Sequence, residues 1–226
     1  MISVSAILQT QKPNPSNLSC ISSFRKYHSS SPITIVADEF CDFSNYEKKY
    51  DVKVKYSNIK CDPRGKLNFS TFREYLKRIY DHCTEYSQEF VVILEDDVMT
   101  YKTISRRPST SCAGPRINPY QAALTALLQE KFNSKNFYGY GMSGGSIFKS
   151  QDFIKSYEKN IDFEYFSLKE NRIPYYSDIG LTLLFQLSGY EYSEWEDVSE
   201  KFHKDPNQRI YRDAALDHND KRLYEQ

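Results

Sequence analysis

The amino-acid sequence predicts an α/β fold, with a mostly parallel central sheet and helices on both faces. Three observations lead there. Apolar, β-prone runs, ISVSAIL at 2–8, SPITIVADEF at 31–40 and VVIL at 91–94, recur between stretches of helical periodicity. These runs are continuous in their apolar stretches, as in strands covered on both faces. Two of them end in acids, ADE at 37–39 and EDD at 95–97, and ligands of such sheets bind beyond the carboxyl ends of the strands.

Taken in order, ISVSAIL is the first strand, followed by the Pro-rich QKPNPSN turn. Leu18, Ile21 and Phe24 then repeat at helical spacing. ITIVA is the second strand, and VKVKYSN at 52–58 alternates like a more exposed third. After the turn signal CDPRG, Phe69, Phe72, Leu76, Ile79 and Cys83 mark the clearest amphipathic helix. VVIL follows as a buried strand. Residues 100–118 are polar, basic and broken by Pro and Gly, the pattern of a long mobile loop. PYQAALTALLQEKF reads as a helix with Leu124, Leu127 and Leu128 inward. FYGYGMSGGSIFKS reads as a glycine-interrupted strand, and a helix around Phe153, Ile154 and Tyr157 comes next. The expected division is a single domain over 1–226. Its parts are residues 1–98, a mobile loop (99–118), residues 119–203 and a C-terminal tail (204–226).

The composition sets limits. The 226 residues carry 30 Lys plus Arg against 30 Asp plus Glu, so no net charge draws the chain to nucleic acid or anionic membrane. The length suffices for a core without disulfides. Five Cys, none in a C-x-x-C pair, read as reduced thiols of a cytoplasmic, soluble protein. The first residues lack a basic n-region, and no transmembrane segment is expected. Nineteen Tyr and fourteen Phe favour pockets that pack planar groups.

The carboxylates are the main chemical signal. Glu95, Asp96 and Asp97 repel one another at neutral pH and need a positive partner. Alternation along a strand puts Glu95 and Asp97 on one face and Asp96 on the other. Two readings stay open: an oxygen-preferring Mg²⁺ or Mn²⁺, or an acidic strand end that faces solvent or pairs with Arg64, Arg106 or Arg107. Asp178 precedes Ile179, Leu183, Leu184 and Leu187. It is either a helix N-cap or a general base at a pocket rim. GMSGGS at 141–146 has neither P-loop nor dinucleotide spacing. It is a tight turn or a wall that lets a sugar come close. His203 is a candidate metal ligand or a surface histidine, while His28, His82 and His218 show no ligand spacing. No nucleophile elbow is present.

In this order the segments resemble a GT-A fold glycosyltransferase of the family-2 kind, over roughly residues 2–203. A further similarity is to the rhamnosyl-type N-terminal transferase domain of a large chlorella-virus glycosyltransferase. The resemblance implies Mn²⁺ or Mg²⁺ as cofactor, with Asp97 as direct ligand of a DXD-type motif and His203 as a further one. It implies nucleotide contacts from Gln9, Thr10, Asp38, Arg64, Glu95 and Asp96. Gly144, Gly145 and Ser146 would line the donor sugar and acceptor site, and Asp178 would be the base of an inverting reaction. The implied partners are a nucleotide-sugar donor, of UDP or dTDP type, and a glycan or glycoprotein acceptor. Arg106, Arg107 or Arg116 would fold over the phosphates once donor binds.

The sequence departs from the pattern in three places. The strand ends in EDD, and LEDDV also resembles a separate transferase family that modifies lipopolysaccharide and collagen. Ser177 replaces the usual acid before Asp178, and the Q-x-x-R-W helix of processive synthases is absent. A non-catalytic sugar-nucleotide or carbohydrate-binding module, or a metal-dependent phosphohydrolase or nucleotidyltransferase, remains the alternative.

Overall fold

The computed structural model describes residues 2–10, 12–37, 41–57, 69–115, 122–138, 141–161, 177–200 and 213–218. Strand β1 (Val4–Thr10), helix α1 (Pro15–Tyr27), β2 (Ile33–Ala37), α2 (Ser44–Tyr50), β3 (Lys53–Tyr56), α3 (Phe69–Glu85) and β4 (Phe90–Leu94) form the first part. Then come β5 (Met99–Thr100), β6 (Cys112–Gly114), α4 (Ala122–Lys131), β7 (Ile147–Lys149), α5 (Ser150–Glu158), α6 (Ser177–Leu187), β8 (Tyr192–Glu194), β9 (Val198–Glu200) and β10 (Leu216–His218).

Seven strands make one sheet in the order β3-β2-β1-β4-β7-β6-β8, and β5-β10-β9 form a small second sheet. Strands β1 to β4 are mutually parallel where they pair, β7 runs antiparallel to β4 and β6, and β8 is parallel to β6. The mostly parallel sheet expected from the sequence is therefore present.

Its strands bury both faces, which explains the continuous apolar runs. Val4, Ala6, Leu8, Ile33, Ile35, Val92 and Leu94 share one core with Cys20, Ile21 and Phe24 of α1. Ile7, Val36, Val91 and Ile93 point the opposite way. They pack with Phe72, Leu76 and Ile79 of α3, Phe153 of α5 and Leu181, Leu184 and Phe185 of α6. The strand period of two places alternate residues on opposite helical layers.

Helix α1 starts where the chain supplies a complete cap. The Asn14 side chain accepts from the Asn17 amide, the Asn17 side chain accepts from the Asn14 amide, and Pro15 occupies the first turn. In register, Thr10 lies beside Ala37 and Leu8 beside Leu94. The carboxyl ends of β1, β2 and β4 thus open along one edge.

Two local expectations change. In α4, Leu128 is buried and joins the Ile179, Phe132, Phe137 and Leu183 cluster, whereas Leu127 is 40% exposed; the Leu124 side chain lies outside the described residues. Residues 141–146 are a loop rather than a strand. Gly145 takes φ +83°, which ends the extended conformation just before β7.

Candidate functional site

The chain past β4 turns at once. Val98 N–H donates to the Glu95 carbonyl at 3.1 Å, so the three acids sit on a tight turn at the sheet edge. Glu95 and Asp97 face one way and meet His218 from β10. The His218 Nε2 lies 3.7 Å from Glu95 Oε2 and 3.6 Å from Asp97 Oδ1. One ligand atom from each of the three fits within 4.8 Å of the others. Ligands about 2.1–2.4 Å from a common ion are at most about 4.8 Å apart, so the three can share one cation.

Asp96 turns to the other side. Its Oδ2 accepts a 3.2 Å hydrogen bond from Asn14 Nδ2, which ties it to the start of α1. The acids part as expected, but through a turn after β4 rather than by alternation along a strand, and Asn14 is a contact the sequence did not announce.

The electrostatics suit a cation at this point. Burial pushes the Asp97 carboxyl up to about 6; Glu95 and Asp96 add to the rise, and His218 opposes it. Burial also raises Asp96, with the Asn14 hydrogen bond working against it. Asp97 Oδ1 is buried and accepts no hydrogen bond among the described residues. Two carboxylates and an imidazole are ligands for a divalent ion, and the imidazole favours Mn²⁺ over Mg²⁺. The residues present therefore fit such an ion.

The arginine explanation of EDD loses two of its three candidates. Arg106 lies against Glu196 and Asp197, its own amide donates to Asp197 Oδ2 at 3.1 Å, and Trp195 Nε1 donates to its carbonyl at 3.2 Å. Arg107 pairs with Glu89 and stands over the Phe90 ring, at the amino end of β4. Five residues of strand put that end about 17 Å from the acids. Residues 104–106, expected in a mobile loop, are further held by a 3.1 Å bond from Ile104 N–H to His28 Nε2. Folding of Arg106 or Arg107 over phosphates would require breaking these contacts. Arg64 and Arg116 lie outside the described residues, as do Asp38 and His203.

Of the remaining candidates, Gly144 touches the cluster, and Gln9, Thr10 and Asp178 have other partners. Gln9 Oε1 accepts from the Tyr75 hydroxyl at 2.6 Å, and Thr10 Oγ1 donates to Lys12 O at 3.1 Å, both at the carboxyl end of β1. Residues 143–146 are clamped to β4, since Gly145 N–H donates to Ile93 O and Ile93 N–H donates to Ser146 O, each at 2.8 Å. Gly144 abuts Glu95 and His218. Asp178 is half-buried in the first turn of α6, one residue inside the helix rather than at its N-cap, with Oδ1 accepting from Ile179 N–H at 3.0 Å. Thr182 Oγ1 donates to the Asp178 carbonyl at 2.7 Å and accepts from Met142 N–H at 3.0 Å. That chain couples the Asp178 turn to the glycine loop and so to the acids.

His218 is the residue the sequence passed over. Its strand, Leu216-Asp217-His218, is too short to announce itself in the sequence.

Comparison with known structures bears on the fold. No protein-family model matches the sequence, and no curated protein does. Among solved structures, the galactosyltransferase LgtC in complex with donor and acceptor sugar analogues is similar. Its TM-score is 0.54 at 15% identity, over 94% of this chain and 86% of that one. The chain has a GT-A fold. An active-site mutant of LgtC gives the same TM-score at 14% identity and the same coverage. The bifunctional glycosyltransferase WbbM, without ligands, gives 0.55 at 11% identity, over 96% of this chain and 45% of that one. Among the described residues no helix of this GT-A domain is long and apolar enough to cross a membrane.

Proposed function

We propose that the protein is a metal-dependent glycosyltransferase. It moves a sugar from a UDP- or dTDP-type nucleotide sugar to a hydroxyl of a glycan acceptor, with inversion. The observation that carries this reading is the convergence of Glu95, Asp97 and His218 at the carboxyl edge of a GT-A sheet. These three residues hold a divalent cation, Mn²⁺ in preference to Mg²⁺. When bound, the cation supplies positive charge for the diphosphate leaving group.

The nucleotide half is residues 1–98. Gln9 and Thr10 end β1 beside the acids, and Asp96, held by Asn14, shapes the nucleotide side. Asp38 and Arg64 are assigned to the same side from the family resemblance. Residues 119–203 form the acceptor half, with Gly144, Gly145 and Ser146 as its wall. Asp178 takes the proton from the acceptor hydroxyl as the sugar's bond to diphosphate breaks and its bond to the acceptor oxygen forms. The coupling through Thr182 and Met142 supports that role. Cytoplasmic residence belongs to the same proposal, in keeping with the free thiols of Cys20, Cys41, Cys83 and Cys112.

The test is thermal denaturation with UDP-, dTDP- and GDP-sugars, each with and without Mn²⁺. One nucleotide class should raise Tm only when Mn²⁺ is present. Absence of Mn²⁺-dependent stabilisation by every nucleotide sugar would overturn the reading. Donor hydrolysis without acceptor separates an active transferase from a binding module. The anomeric configuration of the first product, read by NMR, tests inversion. Asp178→Asn should bind donor normally and lose about 10²–10⁴ in transfer rate; normal turnover would remove Asp178 as base.

A further inference from the structure

The metal cluster depends on a close approach that one missing side chain permits. His218 arrives on a three-residue strand, paired antiparallel to β5 and parallel to β9. It reaches the acids across the turn at 143–146. A Cβ at Gly144 would stand 3.0 Å from His218 Cδ2, 3.1 Å from Glu95 Cβ and 2.8 Å from Val98 Cγ2. All three contacts are tighter than ordinary van der Waals separation. The turn cannot withdraw to relieve them, because its backbone is bonded to both sides of Ile93 and Ser146 N–H donates to Ser143 O at 3.0 Å. Gly145 behind it is equally confined: a Cβ there would lie 2.5 Å from Val198 Cγ2, on the strand beside β10.

Val98 is fully buried, and Glu95 follows directly on β4. A side chain at 144 therefore presses on the His218 ring as well as on Glu95 and Val98.

We propose that Gly144 is a positioning residue of the cation site: its lack of a side chain is the room in which the His218 ring reaches Glu95 and Asp97. This rests on the three-residue cation site proposed above, and it gives Gly144 a task distinct from touching sugar. A residue that only lines the sugar leaves the affinity for free Mn²⁺ unchanged. A residue that seats His218 alters that affinity before any nucleotide is present.

The experiment is a Mn²⁺ titration without nucleotide, followed by electron paramagnetic resonance. It uses the wild type, Gly144→Ala, His218→Ala and the double variant. His218→Ala should weaken Mn²⁺ binding, and Gly144→Ala should weaken it by roughly 10–100-fold, the usual effect of disturbing the support of a metal ligand. The double variant should bind no more weakly than His218→Ala alone, because Gly144 acts through that ring. Should His218→Ala leave Mn²⁺ affinity intact, the three-residue site itself is wrong. Should His218→Ala weaken binding while Gly144→Ala does not, or should the two losses add, the positioning role is wrong and the site stands. If Gly144→Ala does not fold, Val98→Ala is combined with it, clearing the 2.8 Å contact and leaving those to His218 and Glu95. That variant should fold and still bind Mn²⁺ weakly; wild-type affinity in it overturns the proposal.

Discussion

His82 and His218 are both buried, and their surroundings differ in one decisive respect. His82 is enclosed by neutral hydroxyls: Nδ1 lies 2.7 Å from Thr34 Oγ1 and Nε2 2.8 Å from Ser5 Oγ. His218 instead faces two carboxylates from 3.6 and 3.7 Å, beyond the range of a good hydrogen bond. The first ring is a finished polar contact between α3 and the sheet. The second lies beside two carboxylates that, with it, could hold a cation. Burial of a histidine therefore says little about its task, and the atoms facing its two nitrogens say most.

The largest effect should come from the acid that faces His218. Asp97→Asn keeps the shape of the side chain and removes its charge. Turnover should fall by about 10²–10³-fold or more, the range for losing a principal electrostatic group. In EDTA the variant should be at least as heat-stable as the wild type, because a buried carboxylate crowded by Glu95 and Asp96 has been relieved. Loss of stability together with activity would instead make Asp97 a structural residue, like those around His82.

His82→Ala should show the reverse pattern. It leaves a cavity and deprives Ser5 and Thr34 of a partner, costing about 2–3 kcal/mol of stability by denaturant titration. Mn²⁺ affinity should not change. A change would mean that α3 transmits strain to the acids, and the two histidines would no longer be independent.

His218→Ala should again reverse the balance, with Mn²⁺ affinity falling roughly 10–100-fold. The ring is buried, so some stability is lost without metal as well, but the loss of Mn²⁺ affinity is the effect that His82→Ala should lack.

The same contrast explains what could be read from the sequence. Strands β1, β2 and β4 have five to seven residues with apolar side chains on both faces, so their existence, order and acidic ends were legible. The clear helix at 69–83 became α3 over Phe69–Glu85 for the same reason. Strands β5 to β10 have two or three residues each, too few to display any period. Only pairing with distant segments defines them. Asp97 was visible because its neighbours are acids on a strand end. His218 was not, because its ligand partners lie more than a hundred positions away and its strand pairs with residues 99–100 and 198–200. Leu127 was misread because apolar residues surround α4 on all sides, and which of them is covered depends on α6. The partners of Arg106 and Arg107 were not legible, because a basic, Pro-broken stretch gives no hint of Asp197 or Glu89.

The smallest effect should appear on acidification, and it tests whether His82 is indeed held neutral. Burial pushes its pKa down from an ordinary 6.5 to about 3; Lys55 lowers it further, and Glu85 opposes. The unfolded chain takes up a proton below about 6.5, while the folded chain refuses it until about 3. Between those values the unfolded state binds more protons, so stability is complete above 6.5 and drains away as pH falls. The slope attributable to one such group is at most about 1.4 kcal/mol per pH unit. His82→Gln supplies a neutral amide that can bond both hydroxyls and cannot be protonated in this range. Its denaturant midpoint should fall less steeply than the wild type's between pH 6 and 4, both measured in EDTA so that Asp97 and His218 contribute alike. Equal slopes would show that His82 accepts its proton in the folded state, and the hydroxyl pair around it would then be a looser enclosure than the distances to Ser5 and Thr34 imply.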